Sequence, residues 1–93
     1  MVHYYCYNNE MFIALMDNDL GTALFSYDGE LKCGDMKDNP QHLQALEQAE
    51  EITPNEFYSG IKPAKEWTEK EIKAFIIFKK SVAFYHQMQV QMN

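Results

Sequence analysis

The apolar positions of this chain change their spacing once, between residues 34 and 39. Val2 to Tyr7 is β-branched and aromatic, and Met11 to Met16 is an unbroken apolar run. Thr22 to Tyr27 alternates, with Ala23, Phe25 and Tyr27 on one face. Short runs of period two, bounded by turn residues, predict strands. The unbroken run predicts a strand covered on both faces. Asn8-Asn9 and Asp28-Gly29 tolerate positive φ, so each reads as a two-residue turn. Glu30 to Cys33 reads as a short return strand. The expectation is an antiparallel meander of three or four strands over residues 1–34.

The rest of the chain carries helix start signals. Asn39-Pro40 offers an N-cap and a proline at the first helical position, ahead of Leu43 and Leu46. Thr53-Pro54-Asn55-Glu56 is a capping box, with Ile52 and Phe57 placed as a hydrophobic staple and Gly60 as the stop. Thr68-Glu69-Lys70-Glu71 is a second box, flanked by Trp67 and Ile72 as a second staple. From there a helix can run to about residue 90, roughly 33 Å. The fold class expected is α+β: an N-terminal antiparallel β-meander packed against short helices (39–60) and one long C-terminal helix (68–90). Residues 61–67 read as a linker and 91–93 as a frayed tail, all within a single domain, 1–93.

The long helix is too apolar for one contact face. Phe75, Phe78, Val82 and Tyr85 form one stripe; Ile72, Ile76 and Ala83 form a second; Ile77, Phe84 and Met88 form a third. Lys70, Lys73, Lys80 and Gln87 leave a narrow wet strip. A surface helix ordinarily shows a single apolar face. The excess predicts an oligomer interface, placed on Phe75, Phe78, Val82 and Tyr85, and hence a homodimer.

Charge divides the chain in the same way. The formal net charge of the 93 residues is −6. Residues 1–60 carry eleven acids against two lysines, and residues 61–93 carry six lysines against three acids. There is no arginine, which removes the side chain best suited to reading guanine or clamping phosphate, so direct nucleic-acid binding is not expected. A meander brings alternate loops to one end, gathering Asp17, Asp19, Asp35 and Asp38 on a single acidic rim. Such a rim attracts a larger protein with a basic surface. Tyr4, Tyr5, Tyr7 and Tyr27 are the candidate aromatic anchors.

Candidate chemistry is sparse. Cys6, Cys33, His3, His42 and His86 lack metal-ligand spacing, so no metal and no cofactor is expected. Cys33 with His42 is the one conceivable nucleophile and base, and nothing around them activates a thiol. Asp17-x-Asp19 begins like a calcium loop, but Gly21 sits one position early and a strand follows. No apolar run approaches a membrane span, and Met-Val-His-Tyr-Tyr is not a secretory leader, so the expected setting is a reducing cytoplasm. The segment Glu50-Glu51-Ile52-Thr53-Pro54-Asn55-Glu56-Phe57 resembles strand-to-helix junctions of small phage-encoded proteins. It covers eight residues, mostly capping chemistry, and implies a mobile-element origin without an activity. The function expected is a non-catalytic, acidic protein–protein interaction module. One form is a phage or mobile-element inhibitor of a nucleic-acid-handling or defence complex, of the anti-CRISPR or anti-restriction type. The alternatives are an immunity protein or antitoxin, a structural or regulatory homodimer built on the C-terminal helix, and a small ligand-binding domain.

Overall fold

A computed structural model describes residues 1–92, with side chains through Met88. Four strands follow one another: β1 (Val2–Tyr7), β2 (Met11–Met16), β3 (Thr22–Tyr27) and β4 (Glu30–Asp35). After a 3-10 turn at Met36–Asp38 come α1 (Pro40–Gln48), β5 (Glu50–Ile52) and α2 (Pro54–Gly60). A second 3-10 turn, Ala64–Glu66, precedes α3 (Glu69–Met92). All five strands form one antiparallel sheet in the order β4-β3-β2-β1-β5. The architecture is α+β, with the meander and long helix that the spacing predicts. β5 is an addition: the stretch 39–60 holds a strand between its two helices. The tail expectation falls on α3, which continues to Met92, and on Asn93, which lies outside the described residues.

The two shorter of the three hairpin connections use left-handed residues, as their chemistry demands. Asp28 and Gly29 (φ 55° and 76°) connect the paired residues Tyr27 and Glu30. Asn8 and Asn9 (φ 52° and 56°) are also left-handed, but Tyr7 pairs with Met11, so this loop includes Glu10 and is one residue longer than expected.

Side-chain parity along the strands builds two cores. On one face Met11, Ile13, Ala23 and Phe25 pack under α1, against Met36 and Ala45. On the other, Ala14, Leu24 and Leu31 pack under α2 and α3, against Phe57, Ile61 and Phe78. Phe57 and Phe78 are among the largest fully buried side chains, each contributing about 2–3 kcal/mol by burial. The central β2 is covered on both faces, which accounts for its unbroken apolar run.

The helix caps follow the sequence signals with local corrections. At α2, Thr53 Oγ1 accepts from Glu56 N–H (3.2 Å) and Glu56 Oε1 from Thr53 N–H (3.0 Å), completing the box. Gly60 is the last residue of α2 and does not adopt a left-handed cap; a Cβ there would overlap the Phe12 ring, so close packing demands the glycine. At α1, Asn39 holds the N-cap position, but its amide donates to Asp35 O (2.8 Å) instead of capping the helix. The stretch 61–67 is not a free linker: Ile61 is buried, Trp67 Nε1 donates to Lys62 O (2.7 Å), and the indole lies 5.0 Å from the Phe75 ring. The indole therefore packs at a tilt against Phe75, while Ile72, its expected staple partner, is exposed.

Glu71 joins these parts. Only 3% exposed, its carboxylate accepts from Thr68 N–H (2.9 Å), from Lys62 Nζ (2.7 Å) and from the N–H of Leu31 on edge strand β4 (3.0 Å). Lys62 first, then the backbone donors, hold this carboxyl at a pKa of about 2. Its ionised form is thus favoured by the fold. The stabilisation is complete above the ordinary carboxylate pKa and is lost as pH falls through about 2. The urea midpoint is expected to drop progressively between about pH 5 and pH 2. Glu71→Gln is expected to cost about 2–4 kcal/mol at neutral pH and to flatten that acid limb. Wild-type stability in the variant would show that the carboxylate does not hold the fold.

Candidate functional site

Two features of the surface gather the candidate binding residues. The first is the acidic end of the sheet. Asp17 and Asp19 lie in the loop between β2 and β3, Asp35 closes β4, and Asp38 lies in the following 3-10 turn. The two loops are tied together: Met36 N–H donates to Gly21 O (2.9 Å), and Thr22 Oγ1 donates to Asp35 Oδ1 (3.1 Å). Asn18 Oδ1 accepts from Gly21 and Thr22 N–H (2.8 and 3.2 Å), which fixes the first loop. Asp17, Asp19 and Asp38 are exposed, and Asp35 is half-buried. Among the described residues, none of the four is ion-paired with a lysine or histidine.

The second is a cleft of about 540 Å³ between α1 and the sheet. Its floor is Tyr7, Met11 and Tyr27, aligned across the first three strands, with Phe25 behind them. Its wall is the face of α1 that carries Gln41, Gln44 and Gln48, at i, i+3 and i+7. Glu10, Glu30 and Lys32 stand at the mouth, with Lys32 Nζ 3.9 Å from Glu30 Oε2. His42 lies beneath, 8% exposed, its ring 4.6 Å from that of Phe25. Its Nδ1 is buried without a hydrogen-bond partner. Burial first, then nearby Lys32, push the imidazole below its ordinary pKa, so it stays neutral. A buried polar nitrogen left unpaired costs about 1–3 kcal/mol, the kind of strain that binding sites retain.

Parity sorts the other sequence candidates. Tyr5, Tyr7 and Tyr27 project from the α1 face, and Tyr7 and Tyr27 line the cleft. Tyr4 is on the opposite face, 5.3 Å from Phe57 and 6.2 Å from Tyr58, so the four tyrosines do not form one anchor set. Burial and the neighbouring Tyr4 push the Tyr58 hydroxyl up to about 12. Cys33 packs with the α3 core and His42 with the α1 core, so the sheet separates this thiol from that base. Burial, then Asp35, push the Cys33 thiol up, away from the reactive thiolate. His3 and Cys6 likewise face opposite ways: His3 is 3.8 Å from Glu51, and Cys6 is 3.8 Å from Asn9 Oδ1. Among the described residues, no group of three His, Cys, Asp or Glu side chains is arranged to hold a metal ion, and no helix is long and apolar enough to cross a membrane.

The stripe assigned to an interface is committed elsewhere. Phe78 is 1% exposed, and it packs with Phe75 and Val82 against the chain's own sheet. Tyr85 continues the stripe, half-buried. The outer side of α3 presents Ile72, Ile76, Ile77, Phe84 and Met88 to solvent instead.

Comparison with protein-family models, with curated proteins and with solved structures finds no match to this chain.

The cleft is the feature that reading the chain missed. Its signal was present in the i, i+3, i+7 glutamines of α1 and the aligned Tyr7 and Tyr27, but joining them requires knowing which sheet face α1 covers. Replacing the unpartnered imidazole by an apolar side chain, His42→Leu, is expected to raise unfolding stability by about 1 kcal/mol in urea titrations at neutral pH. The wild type is expected to lose stability below about pH 6.5, where the unfolded imidazole takes up a proton first. The variant is expected to lack that component. A destabilised variant with unchanged pH dependence would contradict a strained, neutral His42.

Proposed function

We propose that this chain is a non-catalytic binding protein that docks, through its acidic rim, on a basic surface of a larger protein. The observation that carries the reading is the bonded pair of loops that gathers Asp17, Asp19, Asp35 and Asp38 at one end, none of them ion-paired among the described residues although Lys37 shares the 3-10 turn of Asp38. Carboxylates fixed in this way attract a basic partner without waiting for a loop to order. Such a rim competes for grooves that otherwise hold a nucleic-acid backbone. This is the logic of phage or mobile-element inhibitors of nucleic-acid-handling and defence complexes, and of immunity proteins and antitoxins that cover basic toxins.

The test is a tagged pull-down from bacterial lysate, washed at low and high salt, with the wild type and with Asp17→Lys, Asp19→Lys and Asp38→Lys combined. Asp35 is spared because Thr22 bonds to it. A stoichiometric basic partner is expected on the wild type, released by salt and absent from the triple variant. Retention of the same partner by the variant would refute the rim.

A second reading, self-association, is favoured by the outer side of α3. Ile72 and Ile76 form one apolar flank, and Ile77, Phe84 and Met88 form the other, with Lys73 and Lys80 between them. A homodimer formed there is expected to dissociate in Ile77→Glu with Phe84→Glu, read by light scattering, while circular dichroism is unchanged. Phe78→Glu is expected to unfold the chain instead, because it buries a charge in the core. A wild type that is monomeric at high micromolar concentration would exclude this reading.

A further inference from the structure

We infer that the cleft between α1 and the sheet binds an organic cation with a guanidinium head on an aliphatic stem. The site lies on a face of the sheet, apart from the Asp17–Asp38 rim, and does not depend on the rim's role.

Three features of the cleft select that chemistry. The first is charge. Glu10 and Glu30 line the mouth against a single lysine, and Lys32 is already engaged with Glu30 at 3.9 Å. Asp28, in the turn beside Glu30, adds a further negative charge at this end. The imidazole beneath is neutral and contributes none. An anion is therefore disfavoured and a cation favoured.

The second is hydrogen-bonding balance. The two carboxylates at the mouth can only accept, the three glutamine amides accept as well as donate, and the His42 Nδ1 below is unpartnered. A guanidinium has five donors and no acceptor, in a planar fork that matches carboxylates. The third is shape. Tyr7 and Tyr27 line the floor, and aromatic rings are the surfaces on which a flat cation stacks. A volume of about 540 Å³ exceeds the head group and has room for a methylene stem and the atoms that carry it.

Free small molecules and arginine side chains of a partner share this chemistry. The experiment titrates the full chain with three probes: agmatine, N-acetyl-arginine amide and N-acetyl-citrulline amide. Nuclear magnetic resonance follows the side-chain amides of Gln41, Gln44 and Gln48 and the rings of Tyr7, Tyr27 and His42. Both guanidinium probes are expected to shift these signals at millimolar concentration or below, and the neutral, isosteric citrulline probe is expected to leave them in place. Tighter binding of agmatine points to a free small molecule, and tighter binding of the capped arginine points to a partner's side chain. Glu10→Gln and Glu30→Gln are each expected to weaken binding about tenfold, in variants whose spectra remain dispersed. Equal response to the citrulline probe, no response to either guanidinium probe, or unchanged affinity in both variants overturns the proposal. Loss of partner capture on rim reversal with cleft binding intact separates this site from the rim.

Discussion

A single buried carboxylate holds the molecule's three parts in register. Glu71 closes the N-terminal turn of α3, anchors the segment before it through Lys62, and accepts the outward N–H of Leu31 on β4. Each of these groups would otherwise be unsatisfied or left to water. A carboxylate surrounded by a cation and two backbone donors offsets the cost of its own desolvation, which an isolated charge cannot do. It also occupies a hydrogen-bonding position on an edge strand, where an unpaired backbone invites another chain. Because β4 and α3 are tied together here, the Phe78 side of the helix is directed at the sheet and its Ile77 and Phe84 side at solvent.

The sheet divides the protein's chemistry as well as its cores. One face is closed by two helices and is largely apolar, with Phe57, Phe78 and Trp67 as its bulk. The other is covered by the shorter α1 alone, whose facing side carries amides and an imidazole. That incomplete cover leaves a cleft where a second helix would have filled the space. Clefts beneath a rigid element with a few convergent polar groups are the usual form of a binding site. The acidic rim and the cleft therefore arise from different features: the rim from loops brought together at a sheet end, the cleft from a deficit of covering helix.

How much of this is legible in the chain depends on how local the cause is. The strands of the meander, the Asp28-Gly29 turn and the Thr53 box are decided within a few residues, and their boundaries read directly except at the end of β4, expected at Cys33 and reached at Asp35. The acidic rim is also legible, because alternate loops of a meander must share an end. β5 is legible only through the strand-to-helix resemblance of Glu50 to Phe57, because three residues, two of them glutamates, carry no period of their own; pairing with β1 makes them a strand. The role of Glu71 is half legible: Thr68 three residues earlier announces the cap, but Leu31 is 40 residues away and belongs to no local window. The interface stripe fails for a related reason. Periodicity finds three apolar stripes on α3 without ranking them, and only the packed sheet shows that Phe75, Phe78 and Val82 are already covered.

The position of β1 has a consequence for how the chain reaches this state. β1 lies between β2, its neighbour in sequence, and β5, whose Ile52 pairs with Tyr4. The meander needs only short loop closures, whereas the β1–β5 ladder closes the long loop from Cys6 to Glu50 and the Leu31–Glu71 bond one nearly as long. The hairpins therefore assemble early and the two long closures late. During synthesis the outer edge of β1, with its tyrosines and Cys6, stays open until residues 50–52 have left the ribosome. In that interval the nascent chain is a three- or four-stranded sheet with unpaired edges and at most α1 as cover, the stage at which it is most exposed to misassembly with its neighbours.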